Sequence, residues 1–319
     1  MDATGRIEQD RFYSKATKAL ALVLVLAIVG FAAFYYLDRY HADRTPIVDQ
    51  EVARLWQMVA NDPSNPQTRV ALATLLMHKE AYADAIAQYG EALKLDENNA
   101  TALAGLGLAY FRSGKPKEAA AAFERVIELT KDNPPAQRTP AMATVHHYLG
   151  RIYATEGDLK RAEEQFSKAL SIKRSDADTI YYLAQVVAQQ GRNGEAIELY
   201  KAATALVPNY AEAYEGLAKA YAASGLTVEA SYAGAMVDYS RGNYDAAISR
   251  LQGVIQAKPD FGEAYYGLGA AYDKKGEEQK AIEAYQMALR YQPDNEAARV
   301  SLLRLGVKPP VNVTPAAGH

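Results

Sequence analysis

The chain has 319 residues, 49% of them hydrophobic, and carries a formal net charge of −3. That charge leaves no basic footprint for nucleic acid, and so apolar a composition excludes a disordered chain. The absence of cysteine removes disulfides, thiolate zinc sites and cysteine nucleophiles together.

Residues 1–18 are a polar tail containing Arg6, Arg11, Lys15 and Lys18. Residues 19–37 (ALALVLVLAIVGFAAFYYL) carry no charge. As a helix they would extend roughly 28 Å, close to the hydrocarbon thickness of a bilayer. Tyr35, Tyr36, Arg39 and Tyr40 stand at the far end, the residue types that anchor a span at the interface. The segment predicts one transmembrane helix. A signal peptide cut near Gly30-Phe31-Ala32 is the rival reading, but the apolar run continues past that point. Arg39, Arg44 and Arg54 on the far side are one cation fewer than the tail holds. The count places the N-terminus in the cytoplasm, and in a bacterium the remainder outside the inner membrane.

A linker over 38–47 leads to a half-unit over 48–65, in which Leu55 and Met58 keep helical phase beside Trp56. It is expected to cap the first full unit. A pair Leu-Gly/Ala then recurs, in several units as the phrase Leu-Gly/Ala-x-x-Tyr. Leu72-Ala73 and Leu106-Gly107 are 34 residues apart, as are Leu149-Gly150, Leu183-Ala184 and Leu217-Ala218 in succession. A strict period of this length marks stacked units that cannot bury their apolar faces alone. Within each, apolar residues spaced by three and four predict two helices, and residues such as Gly107 and Ala119 let them approach closely.

Two breaks interrupt the period. Residues 134–142 (PPAQRTPAM) hold three prolines in nine residues and predict a protruding loop. Residues 211–227 supply a first helix, but 228–240 fit either helix role poorly. A packing irregularity, either a hinge or a tolerated deletion, is expected between Gly225 and Asn243. The units are 66–99, 100–133, 143–176, 177–210, the irregular 211–227, 228–261 and 262–295. A capping helix over 296–304 and a Pro-rich disordered tail over 305–319 close the chain.

The small and large positions of these units resemble the tetratricopeptide repeat (TPR) family. Unit 177–210 carries them as Leu183, Ala184, Gly191, Ala196, Tyr200, Ala203 and Pro208, and unit 262–295 as Leu268, Gly269, Tyr272, Gly276, Ala281, Tyr285, Ala288 and Pro293. The resemblance covers 48–304. It implies an all-α fold, a right-handed TPR superhelix (an α-α solenoid) behind the N-terminal transmembrane helix. It also implies a concave protein-binding groove lined by first helices at positions 2, 5, 9, 12 and 13 of each unit. Those positions hold Met77, His78, Leu108, Phe111, Arg112, His147, Arg151, Tyr181, Gln185, Tyr232, Tyr239 and Tyr266. The clamp with which family co-chaperones hold a C-terminal carboxylate is not matched, because Val70, Thr74, Gly105, Thr144 and Tyr148 stand there.

No phosphate loop, dinucleotide fingerprint or H-E-x-x-H motif occurs, and His146 and His147 point to different helix faces. No catalytic residue, cofactor or metal is expected. The chain resembles bacterial proteins that carry one span and an exported TPR body. That resemblance implies a membrane-anchored scaffold, held through 19–37, which binds a peptide segment or helix of a partner protein and no nucleic acid. A structural subunit of a larger membrane complex and a cytosol-facing receptor are the alternatives.

Overall fold

A computed structural model describes residues 47–309. Helix α1 (Ile47–Asn61) belongs to a compact unit ending at Ser64, and the chain from Asn65 onward forms a second. Along α1 the buried residues are Val52, Leu55 and Val59, spaced by three and four, while Trp56 and Met58 are exposed. Met58 therefore does not share the apolar stripe assigned to it from sequence.

The second unit is a succession of antiparallel helix pairs. Helix α2 (Pro66–His78) packs on α3 (Tyr82–Leu95), and α4 (Ala100–Arg112) on α5 (Pro116–Thr130). Beyond the short α6 (Pro134–Gln137), α7 (Pro140–Thr155) packs on α8 (Leu159–Ile172), and α9 (Ala177–Gln189) on α10 (Asn193–Leu206). The polar residue before several first helices fixes where they start. Asn65, Asn99 and Asn295 accept backbone N–H bonds from residues three further on at 3.0, 2.9 and 2.9 Å, satisfying a donor the helix cannot.

Residues 134–142 are not the protruding loop their prolines predict. Pro134 and Pro135 open α6, and Pro140 opens α7. Proline is tolerated in a first helical turn because the N–H it lacks has no partner there. Gln137 folds back to donate to the carbonyls of Thr130 and Lys131 at 3.1 and 2.6 Å, closing the end of α5.

The second break resolves as an added helix. Helices α11 (Ala211–Ala223), α12 (Thr227–Ser240) and α13 (Tyr244–Ala257) pack consecutively, and the pair α14 (Gly262–Lys274) and α15 (Glu278–Tyr291) and then α16 (Glu296–Arg304) complete the stack. Nothing at α12 departs from an ordinary turn. Gly242 has φ 81° and donates to the Tyr239 carbonyl at 3.0 Å, while Asn243 donates to Asp238 at 2.9 Å. Gly114 and Lys115 close α4 in the same way, onto Phe111 and Tyr110. Helix α12 faces two cores: Ala233, Met236 and Val237 belong to the one before it, and Ala235 to the one after. A helix buried on both sides needs apolar residues all round, which is why it fits neither repeat position.

The expected membrane span over 19–37 lies outside the described residues. Among the described residues no helix is long and apolar enough to cross a membrane. The longest, α7, has 16 residues, about 24 Å against the ~30 Å a bilayer core requires. The expected localisation, a single-pass protein with its repeats outside the cytoplasm, is corrected on that finding.

Candidate functional site

The first helices of successive pairs bring one row of side chains together. Phe111 closes α4; His147, Tyr148 and Arg151 stand on α7; Tyr181, Tyr182 and Gln185 stand on α9; Tyr210 precedes α11. Their rings form a continuous ladder. Centroids lie 4.9 Å apart for Phe111 and Tyr148, 5.1 Å for Tyr148 and His147, and 5.6 Å for His147 and Tyr182. The ladder continues at 5.1 Å from Tyr182 to Tyr181 and again from Tyr181 to Tyr210. Tilted and edge-on pairs at these distances are favourable beyond the area they bury.

Arg151 sits inside the ladder. Its guanidinium carbon lies 4.5 Å from the Tyr182 ring centre, 4.8 Å from Phe111 and 5.6 Å from Tyr148. Among the described residues no carboxylate pairs with it and no acceptor takes its N–H groups. Three aromatic faces hold the cation while leaving its planar fork of donors open. Arg112, exposed at the end of the preceding first helix α4, donates from Nη2 to the Tyr148 hydroxyl at 3.2 Å and also makes no ion pair among the described residues. The two guanidinium groups thus share one tyrosine.

Nearby polar groups are already engaged. The Tyr210 hydroxyl donates to Asp178 at 2.8 Å; burial, then that carboxylate, raises its pKa. His147 Nδ1 lies 2.8 Å from Thr179 Oγ1, whose hydroxyl donates to Asp176 at 2.5 Å. The threonine hydrogen being committed to Asp176, His147 donates from Nδ1. Burial, with the Arg151 charge second, pushes the His147 pKa down to about 4. Asp178 and Asp176 therefore do not cancel Arg151; they orient its neighbours.

The other residues of the expected groove lie elsewhere. Met77 is half-buried and His78 exposed at the end of α2. Leu108 borders an apolar cleft of about 520 Å³ between α4 and α7, with Gly105, Phe123 and Val145. Gln185 donates to the Tyr181 hydroxyl at 2.7 Å, and both line a second cavity of about 520 Å³ with Glu212, Glu215 and Lys219. Tyr232, Tyr239 and Tyr266 form a separate group around α12. Tyr232 packs against both cores, and its hydroxyl pKa is raised well above the ordinary value by burial, so it serves packing. Register missed Tyr148 and Tyr182 because they occupy position 6 of their units. The doubled aromatics His147-Tyr148 and Tyr181-Tyr182 were the available signal. Among the described residues no group of three or more His, Asp or Glu could hold a metal.

The stacked pairs and the ladder on their first helices define an α-helical repeat protein with a polar-aromatic face. Sequence profiles described as tetratricopeptide repeats match residues 59–134, 143–176, 184–225 and 239–304. The chain belongs to the tetratricopeptide repeat family. A small glutamine-rich tetratricopeptide repeat-containing protein 2 of Mycosarcoma maydis is 38% identical over 61 residues, which is 19% of this chain and 17% of that protein. The chain thus matches about a sixth of the length of that relative. Among solved structures, BtubC from P. vanneervenii superposes with a TM-score of 0.52 at 18% identity, covering 62% of this chain and 89% of BtubC. MamA is 24% identical over 54% of this chain and 95% of its own, with a TM-score of 0.48.

Proposed function

We propose that the chain is a docking scaffold, with a segment of a partner protein lying along the first helices and an acidic side chain of that segment seated on Arg151. The observation that carries this reading is the open guanidinium fork of Arg151, held by Phe111, Tyr148 and Tyr182 with no carboxylate of its own among the described residues. A half-buried cation without a counter-charge is poorly solvated, and a carboxylate meeting it bidentately recovers that cost. Exposed Arg112 adds a second charge beside the first, and the rings supply rigid contact area of the kind that dominates interfaces. The partner is a protein, as the family resemblance implies.

Photo-crosslinking tests this. A crosslinker at position 112 or 185 of the full chain should capture the partner, one at Lys201 on the second helix α10 should not, and Arg151→Gln should abolish the groove products. Equal yield at position 201, or products indifferent to Arg151→Gln, overturns the reading.

A further inference from the structure

The nine residues between α5 and α7 are unlike the other connections between pairs. Four residues separate α3 from α4, α8 from α9, α10 from α11 and α15 from α16. The longer connection opens the seam on two sides. Toward the first helices lies the apolar cleft beside Leu108; on the other side lies a cavity of about 660 Å³. Thr130 and Met142 form the wall common to both.

The second cavity has an unusual lining. Its rim carries Lys131, Arg138, Lys168 and Arg174, and no acidic residue lines it. Lys131 and Lys168 reach back along their own helices to Glu128 and Glu164, at 2.5 and 2.7 Å. These are exposed pairs worth little and easily exchanged. Arg138 and Arg174 pair with no carboxylate among the described residues. The floor is apolar, made by Ile127, Met142 and Ile172. His146 opens onto this space although only 7% of its surface is exposed. Its Nδ1 lies 2.7 Å from Gln165 Oε1, an acceptor, so Nδ1 carries the hydrogen, and Nε2 makes no hydrogen bond among the described residues.

We infer that this cavity is an anion site for a phosphate monoester, its phosphate held by Arg138 and Arg174 and its organic body resting on Ile127, Met142 and Ile172. The volume lies within the range of small-ligand sites and far exceeds what a bare inorganic ion would fill. Guanidinium groups meet phosphate oxygens bidentately, and two lysines able to leave their exposed partners add contacts that a phosphate's three oxygens can use and a carboxylate's two cannot. His146 sharpens the choice of anion. Burial holds its imidazole below its ordinary pKa, hence neutral with Nε2 as acceptor. A phosphate monoester in its singly protonated form brings the one O–H that can donate there, whereas a carboxylate brings none. The site is separate from Arg151 and does not depend on the docking reading.

The free molecule and a phosphorylated side chain of another protein share this chemistry. Titration of the full chain with phenyl phosphate, monitored by calorimetry and by the His146 imidazole resonances, should show saturable one-to-one binding. Arg138→Ala with Arg174→Ala should weaken it by about tenfold or more, while Arg151→Gln leaves it unchanged. Both arginines are exposed, so the double variant should retain its melting temperature. Benzoate should bind at least about tenfold more weakly than phenyl phosphate. A phosphoserine peptide that binds more tightly than phenyl phosphate assigns the site to a phosphorylated protein; the reverse order assigns it to a small molecule. No saturation up to about 10 mM phenyl phosphate, equal binding by the double variant, or equal binding of benzoate overturns the proposal.

Discussion

Gly105 lies directly against the ring of Tyr89: a Cβ at 105 would stand 2.5 Å from the tyrosine hydroxyl, closer than any neighbour tolerates. Gly216 repeats the relation with Tyr200. At the two junctions between these the same two positions hold other residues. Tyr148 stacks on Phe123 at 6.3 Å and 16°, and Tyr182 on Phe166 at 6.1 Å and 11°. There the glycine is within the pair instead, since Gly107 and Gly150 press on Phe123 and Phe166, where Ala73 and Ala184 accompany the tyrosines. Each ring leans toward whichever glycine is offered, and the tyrosine hydroxyl fills the space a stacked ring takes in the other case.

The two kinds of junction should be interconvertible only as sets. Gly105→Tyr alone should lower stability in urea by about 1–3 kcal/mol or more, because the ring of Tyr89 cannot retreat past Ala73. Adding Tyr89→Phe and Ala73→Gly should recover most of that loss, despite the hydrogen bond between Tyr89 and Thr74 at 3.0 Å that is given up. A triple variant no more stable than the single one shows that ring lean does not specify the junction.

Arg151 and Phe111 should separate binding from stability. Arg151→Gln removes a cation held by rings at an accessible site, worth about 0.5–1 kcal/mol, and should lower melting only slightly while abolishing partner capture. Phe111 also packs against the core. Phe111→Ala should therefore cost about 1–2 kcal/mol through lost apolar burial. Phe111 thus serves the core as well as the ladder. Circular dichroism melts of the two single variants check it: equal melting temperatures contradict the division.

The repeat phrase made the paired helices legible, because Leu183-Ala184 and its counterparts combine a large and a small residue at a period set by the helices themselves. What escaped had local causes. Pro134, Pro135 and Pro140 read as breakers until their places in first turns are known. Helix α12 hid because its added length, half of a 34-residue unit, shifts Leu268 to 51 residues beyond Leu217, and because a helix shared by two cores shows no single apolar stripe. At the site, register found Arg112, His147, Arg151, Tyr181 and Gln185. The sandwich of Arg151 between rings of three different helices depends on how units stack, which no single unit encodes.

Helix α12 should behave as a rigid shared element. Its backbone amides from 230 to 240 should exchange as slowly as those of α9. Ala233 and Ala235, both fully buried and facing different cores, should each resist enlargement. Ala233→Leu or Ala235→Leu should cost about 1–3 kcal/mol by overpacking. Fast exchange across 227–243, or tolerance of both leucines, restores the hinge.

His147 makes stability depend on acid in a definite direction. Its folded pKa is about 4, below the ordinary 6.5, so between those values the unfolded chain binds more protons than the folded one and stability falls as pH falls. The contribution is complete above about 6.5 and is lost as pH drops toward 4. His146, lowered by burial as well, acts in the same sense. His147→Gln can keep a donor for Thr179 and removes the titration. Chemical denaturation at several pH values between 6.5 and 4 should give a steeper loss for the natural chain than for His147→Gln. Parallel curves would mean that the imidazole is solvated in the folded state, and that the aromatic ladder around Arg151 is looser than its ring distances indicate.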